Sequence, residues 1–404
     1  SVGGDFPVII RLSADELVPG GLTLTETVVI AKRLEEAGVD AIHVSIGNYA
    51  SYPEGLMIPP MAVADGPLVQ LAAGIKRAVT IPVIAVGKIR DPKMAEKIIA
   101  EKQADFVAIG RTLLADPEWP NKVQSGKLNE INPCIACNQG CISRLFAQQD
   151  VWCTVNPANG REEMFSKPIG KKKTVVVVGG GPAGLSAARA AASRGHRVLL
   201  YEKSKYLGGQ LFAAGAAPYR EGWNEFRETL TRDIKRLRVE VHLDSEYTSK
   251  MAEKEQPDAI IVAVGSSPGQ PKISGIDGAN VIIARDLLEG KKRAKGDVVV
   301  VGGGCAGAQT AEYLAKRGHA VTIVEQAAQI ALEAPMDERA LLLIRLKKLG
   351  VKIENNTKVM EIGSKSVQVE NAAGAGSIPA KTIVLCLGSY PNNGLAEELK
   401  QFVE

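Results

Sequence analysis

Four of the chain's six cysteines crowd into one stretch, Cys134-Ile-Ala-Cys137-Asn-Gln-Gly-Cys141 followed by Cys153. Six thiols in 404 residues are too few for a disulfide scaffold, and their crowding points to metal instead. Three thiolates on one short loop can take three corners of an iron–sulfur cubane while a fourth closes it from a distance. Four cysteines also suit a closed tetrahedral zinc site, and spacing alone leaves both chemistries open. Cys305 and Cys386 have no neighbouring cysteine and read as core thiols. The four histidines, His43, His196, His242 and His319, show no metal spacing and read as core or surface residues.

A second chemistry is written in glycine. Val175-Val-Val-Val-Gly179-Gly180-Gly181-Pro-Ala183-Gly184 runs into an alanine-rich helix, and Val198-Leu-Leu-Tyr-Glu202 follows. Strand, tight turn, helix and terminal acid in that order form a dinucleotide fingerprint. Gly179 permits the turn, Gly181 lets the pyrophosphate approach, Gly184 lets the helix pack closely, and the helix N-terminus offers N–H groups to phosphate. Glu202, 23 residues past Gly179, would accept hydrogen bonds from the adenosine ribose. The pattern returns 123 residues later as Gly302-Gly-Gly304-Cys-Ala-Gly307 and Val321-Thr-Ile-Val-Glu325, which implies two nucleotide-binding lobes rather than a solenoid. Glu325 followed by Gln326 favours a free 2′-hydroxyl, hence NADH over NADPH, although Lys316, Arg317 or His319 could reach a phosphate.

These residues need elements to hold them. From Phe6 to Lys127 apolar strands alternate with amphipathic helices four times, the pattern of βα units with parallel strands. Strands are expected at 8–11, 41–46, 83–86 and 106–109, and helices near 24–36, 68–77, 93–101 and 119–124. Four such units make either the C-terminal half of a TIM-type barrel or an independent open α/β sheet, and periodicity does not choose between them. The chain opens on Ser1 and enters an apolar strand within seven residues, so it reads as an internal piece of a longer polypeptide. The expected organisation is a half-barrel over 1–128, a cysteine-rich segment over 129–168 and a first nucleotide lobe over 169–290. A nested second lobe follows over 291–375, with a truncated return to the first over 376–404. The leucine-faced helix from Asp337 to Lys348 reads as ordinary amphipathic packing.

The tandem fingerprints, with Ala259 to Gly265 closing one lobe and Thr382 to Gly388 returning after the other, resemble the flavoproteins related to glutathione reductase. That resemblance implies FAD on the first lobe, with Gly209 and Gln210 of Leu207-Gly208-Gly209-Gln210-Leu211 along the flavin, and a nicotinamide cofactor on the second. A flavin that receives hydride beside the cysteines favours an electron-relaying 4Fe-4S cluster over zinc. The order of pieces resembles the iron–sulfur flavoenzymes that include 2,4-dienoyl-CoA reductase, 2-enoate reductase and trimethylamine dehydrogenase. The likeness is carried by Ile10-Arg11-Leu12-Ser13, Val44-Ser45-Ile46-Gly47, Pro82 to Lys88, Ala108-Ile109-Gly110-Arg111 and Glu130-Ile131-Asn132-Pro133-Cys134.

The resemblance implies FMN in the barrel, with Arg11 near the isoalloxazine and Gly87, Lys88, Gly110 and Arg111 near the phosphate. Lys88 stands where the family commonly has arginine. Tyr49, with Tyr52 as competitor, stands near the place where some members put a proton-donating histidine. The family's closing Gly-Asp pair has no counterpart before Glu404. The implied activity is NAD(P)H-dependent reduction of an activated C=C bond in a 2-enoate or enoyl-CoA. The rivals are an amine dehydrogenase that passes electrons outward to a carrier and an inactive truncated electron-transfer module.

Charge and hydropathy narrow the partners. Forty-nine basic against 45 acidic side chains leave +4, too weak a field to argue for nucleic acid or a membrane surface. The longest apolar runs fall far short of the ~18 residues that cross a bilayer, and no signal peptide precedes them. A small-molecule substrate and a cytoplasmic location are expected, with homo-oligomerisation left open.

Overall fold

The computed structural model describes residue 3 and residues 5–54, 56–168 and 170–400, with the side chains of 52–54 outside that description. The chain divides into two compact units, residues 1–162 with 334–343, and 163–333 with 344–404.

In the first unit four parallel strands, β1 (Ile9–Ser13), β2 (Ala41–Ser45), β3 (Val83–Ala85) and β4 (Phe106–Val107), lie side by side in chain order. Helices α1 (Leu24–Glu36), α2 (Val69–Lys76) and α3 (Pro92–Ala100) make the crossovers, and α4 (Gly110–Ala115) follows β4. Consecutive order decides the choice that periodicity left open. A doubly wound sheet reverses direction and puts its first strand inside, whereas a barrel adds each strand to the last. Ile42, Val44, Val83, Ala85 and Ile75 are fully buried between sheet and helices. Local chemistry sets the helix starts. The Thr23 N–H donates to Glu26 Oε2 at 2.8 Å ahead of α1, and Asp91 with Pro92 opens α3. On the outer strands Ile9 and Phe106 turn more than half of their surface to solvent.

The second unit holds two parallel sheets. Strands β5 (Thr174–Val178), β6 (Arg197–Tyr201), β7 (Glu240–His242) and β8 (Ala259–Val262) form the order β7-β6-β5-β8. A two-stranded antiparallel ribbon pairs β9 (Ser266–Pro268) with β18 (Ser389–Pro391). The second sheet runs β10-β17-β11-β12-β13, from β10 (Val281–Ile283), β11 (Val298–Val301), β12 (Val321–Val324), β13 (Lys352–Glu354) and β17 (Thr382–Leu385). Strands β14 (Lys358–Ile362), β15 (Ser366–Asn371) and β16 (Gly374–Pro379) make an antiparallel sheet. In both parallel sheets the strand that feeds the glycine turn lies inside, with crossovers leaving in both directions. Val176, Val177, Val299 and Val300 are wholly buried, each worth roughly 1.5–3 kcal/mol of burial. The strand pairing moves the expected lobe edges. Val281–Ile283 and Thr382–Leu385, expected on the first lobe's side, both join the second sheet, where β17 is buried along its whole length against β11.

Candidate functional site

The strand ends of the first unit surround a cavity of about 180 Å³ lined by Arg11, Gly87, Lys88, Gly110 and Arg111, together with Met57, Ile58, Pro59 and Cys134. All five barrel residues expected to hold a flavin therefore face one space. Arg11 sits on β1 opposite His43 on β2, and its guanidinium contacts the His43 ring at 3.1 Å and donates to Ser45 Oγ at 2.9 Å. Burial first, and then the Arg11 charge, holds the His43 pKa below its ordinary value. The neutral imidazole can thus accept from Arg11. Arg111 donates through Nη1 to the Pro59 carbonyl at 2.9 Å and to Asn138 Oδ1 at 2.5 Å. A side chain added at Gly110 would meet nothing within 4 Å, so the backbone there is open to a ligand. The Arg111 guanidinium and the exposed backbone turn at Gly110, lining the same cavity, suit a phosphate dianion.

Lys88 lines the cavity, but its ammonium is spoken for. It donates to the carbonyls of Pro60, Met61 and Val63 and lies 3.5 Å from Asp65, while burial lowers its pKa. Tyr49 opens the turn after β2, is 84% exposed and is not among the residues that line the cavity. The Tyr52 side chain lies outside the described residues.

Cys134, Cys137, Cys141 and Cys153 surround a second, smaller cavity of about 20 Å³. Left-handed backbone at Ala136 and Asn138 turns the loop tightly enough to face its thiols inward. Gly140 lies under Trp152, whose carbonyl a Cβ would meet at 2.6 Å and whose N–H donates to the Gly140 carbonyl at 2.8 Å. That contact brings the Cys153 segment onto the loop. Burial raises the Cys134 thiol pKa and pushes Cys141 up to about 11 and Cys153 to about 12. Among the described residues no three His, Cys, Asp or Glu side chains stand close enough to share one metal ion. The four cysteines line one space, a donor set that suits a metal ion or a metal cluster. The two cavities share Arg111, Cys134 and Ala136 as a common wall.

In the second unit both fingerprints are built alike. Gly179, at φ +107°, and Gly184 pack so closely that a Cβ on Gly184 would collide with the Gly179 carbonyl, and Gly307 stands in the same way against Gly302. Glu202 accepts from Gly180 N–H at 2.6 Å and from Ser204 N–H at 2.7 Å. Glu325 repeats this with Gly303 at 2.6 Å and Ala327 at 2.7 Å. Each acid is thus fixed at its strand end with the carboxylate beside the glycine turn, as an adenosine ribose requires. Gly181 faces open space and Ala183 lies in the first turn of the helix Pro182–Ser193. Gly209 packs on Gly181, and Gln210 Nε2 donates to Ser266 Oγ at 3.2 Å.

Residues 1–130 match the NADH:flavin oxidoreductase / NADH oxidase family, and residues 173–403 match the pyridine nucleotide-disulphide oxidoreductase family. The chain belongs to the pyridine nucleotide-disulphide oxidoreductase family over its second part and carries the NADH:flavin oxidoreductase match over its first. An NADH oxidase of Thermoanaerobacter brockii is 46% identical over all of this chain and 62% of its own length. A cinnamate reductase of Clostridium sporogenes is 36% identical over 80% of this chain and 50% of its own length. A solved 2-naphthoyl-CoA reductase in complex with 2-naphthoyl-CoA superposes with a TM-score of 0.93 at 33% identity, covering all of this chain and 62% of that one. The chain spans less than two thirds of each of these relatives. Membership supports binding of flavin and NAD(P)H. Among the described residues no helix is long and apolar enough to cross a membrane.

Sequence reasoning missed a polar chain behind the barrel cavity. Asn138 takes Arg111 on its carbonyl oxygen, and its amide donates to the Ile58 carbonyl and to Asp337, a buried carboxylate of the 334–343 segment. The helix Met336–Lys348, expected to be ordinary packing, therefore brings a buried carboxyl group to the site, its pKa raised by burial. An acidic first turn was the available signal, but its partner lies 199 residues away. His43 was likewise legible as a core histidine and not as the partner of Arg11.

Proposed function

We propose that this chain is the electron-transferring part of an NAD(P)H-dependent flavin oxidoreductase, with NADH favoured, that reduces an activated C=C bond of a 2-enoate or enoyl-CoA. The observation that carries the reading is the wall of Arg111, Cys134 and Ala136 shared by the barrel cavity and the four-cysteine cavity. A group in one is thereby within a side chain's thickness of a group in the other. When bound, FAD and FMN would supply hydride chemistry and a 4Fe-4S cluster would supply the one-electron relay between them. The residues position these groups. Cys134, Cys137, Cys141 and Cys153 would hold the cluster, Arg11 and Arg111 the barrel flavin, and Glu202 and Glu325 the two adenosine riboses. Tyr49, or Tyr52, is the proposed proton donor to the substrate.

An outward-flowing amine dehydrogenase is less favoured, since the second fingerprint retains its glycines and its ribose acid. Anaerobic addition of NADH to the flavin-loaded parent protein tests the reading. Bleaching of the flavin, reversed by an enoate or enoyl-CoA thioester, is expected. Bleaching by amines and not by NADH would overturn it.

A further inference from the structure

The two fingerprint loops align at the 123-residue offset, and among the positions that differ one places a charge on the glycine turn. Gly208 N–H donates to the Gly180 carbonyl at 2.8 Å, and Ala331 N–H donates to the Gly303 carbonyl at 2.8 Å. At the same offset Gln210 of the first loop (210 + 123 = 333) becomes Glu333 of the second. The amide of Gln210 turns away to Ser266, and Gly181 is left facing open space. The carboxylate of Glu333 instead lies on the glycine turn. Its Oε2 accepts from the Cys305 N–H at 3.1 Å, and its Oε1 lies 2.9 Å from where a Cβ on Gly304 would stand. Gly304 caps the helix Cys305–Ala315, whose first N–H groups are those a dinucleotide pyrophosphate would use.

Building on the reading of the second lobe as the nicotinamide site, we propose that Glu333 is an internal competitor for the cofactor's pyrophosphate. Its carboxylate holds the anion seat in the free protein and must leave before a dinucleotide can enter. The seat itself is sound, because a carboxylate already satisfies its N–H donor and its partial positive charge. What Glu333 changes is affinity: each binding event displaces one anion to admit another, and the displaced charge then faces the bound pyrophosphate. The first lobe, with a neutral amide at the matching position, has no such competitor. The device gives one chain a tightly held nucleotide and a readily exchanged one from the same motif.

The test is calorimetric titration of ADP-ribose into the flavin-loaded protein, as wild type, Glu333→Gln and Glu333→Ala, with adenosine titrated in parallel and Glu325→Ala locating the site. Glu333→Gln is expected to bind ADP-ribose about tenfold more tightly, with adenosine unchanged. Glu333→Ala should do the same, and the exposed position should leave thermal unfolding of both variants at the wild-type temperature. Equal or weaker ADP-ribose binding by both variants would overturn the proposal while leaving the nicotinamide reading intact. No binding that responds to Glu325→Ala in any of the proteins would overturn the nicotinamide reading, and the proposal with it.

Discussion

Each nucleotide seat of the second unit is written in one run of residues, from Gly179 to Glu202 and from Gly302 to Glu325, whereas the barrel cavity collects Arg11, Lys88, Arg111 and Cys134 from separate strand ends and a loop. The seats of the first kind are shaped by backbone: glycines packed against carbonyls, and acids held by N–H groups of the adjoining turn. The cavity of the second kind is shaped by side chains that hold one another, Arg11 on His43 and Arg111 on Asn138 on Asp337. A backbone site should fail by steric collapse at one position, and a side-chain site by loosening of partners far away in sequence.

The sharpest break should come at the cysteines, which combine both modes. Cys141→Ser or Cys153→Ser removes one of the four proposed ligands, each a thiol whose pKa burial raises and whose ionisation a bound metal would offset. Iron per chain after anaerobic reconstitution is expected to fall to near background in either variant. Retention of the wild-type iron content would show that these four sulfurs do not form one site.

Next in size is Gly184→Val. Its side chain would be driven into the Gly179 carbonyl, at a cost of about 3 kcal/mol or more by overpacking, since backbone cannot yield as a side chain end does. The first lobe's flavin and the urea stability of the second unit should both drop, with the iron content of the first unit retained. Loss of iron as well would break the distinction drawn between the two modes.

This difference also explains what could be read in advance. The glycine turns and the position of Glu202 and Glu325 beside them were legible, because a turn and its acid share one short stretch. The helix over Leu24–Glu36 was legible from its period. Lys88, expected near a flavin phosphate, lines the cavity, yet the destination of its ammonium depends on the carbonyls of Pro60, Met61 and Val63, which no periodicity marks. The membership of β17 in the second sheet was hidden for a related reason. A Val-rich strand buried on both faces fits either parallel sheet, and only long-range pairing chooses.

A smaller effect is expected at Arg111→Lys, which keeps the charge and loses the planar fork. The bonds to the Pro59 carbonyl and Asn138 go with it, about 1–3 kcal/mol if neither is replaced. Weaker retention of the barrel flavin with unchanged ADP-ribose binding would sharpen the contrast between the units. Equal loss at both would erase it.

The smallest effect is a pH slope confined to the barrel mouth. Burial and the neighbouring Arg11 hold His43 below its ordinary pKa, so the unfolded chain takes up a proton at a pH where the folded chain does not. The contribution of this residue to stability is therefore whole above the unfolded value of about 6.5 and is lost as pH falls through it toward the lower folded value. His43→Gln keeps a polar partner for Arg11 and cannot titrate. Between about pH 7 and pH 5 its urea midpoint should fall less than that of the wild type. Parallel curves for the two proteins would mean that the Arg11–His43 pair does not govern the pH response of this site, and that the barrel mouth is held by its apolar walls instead.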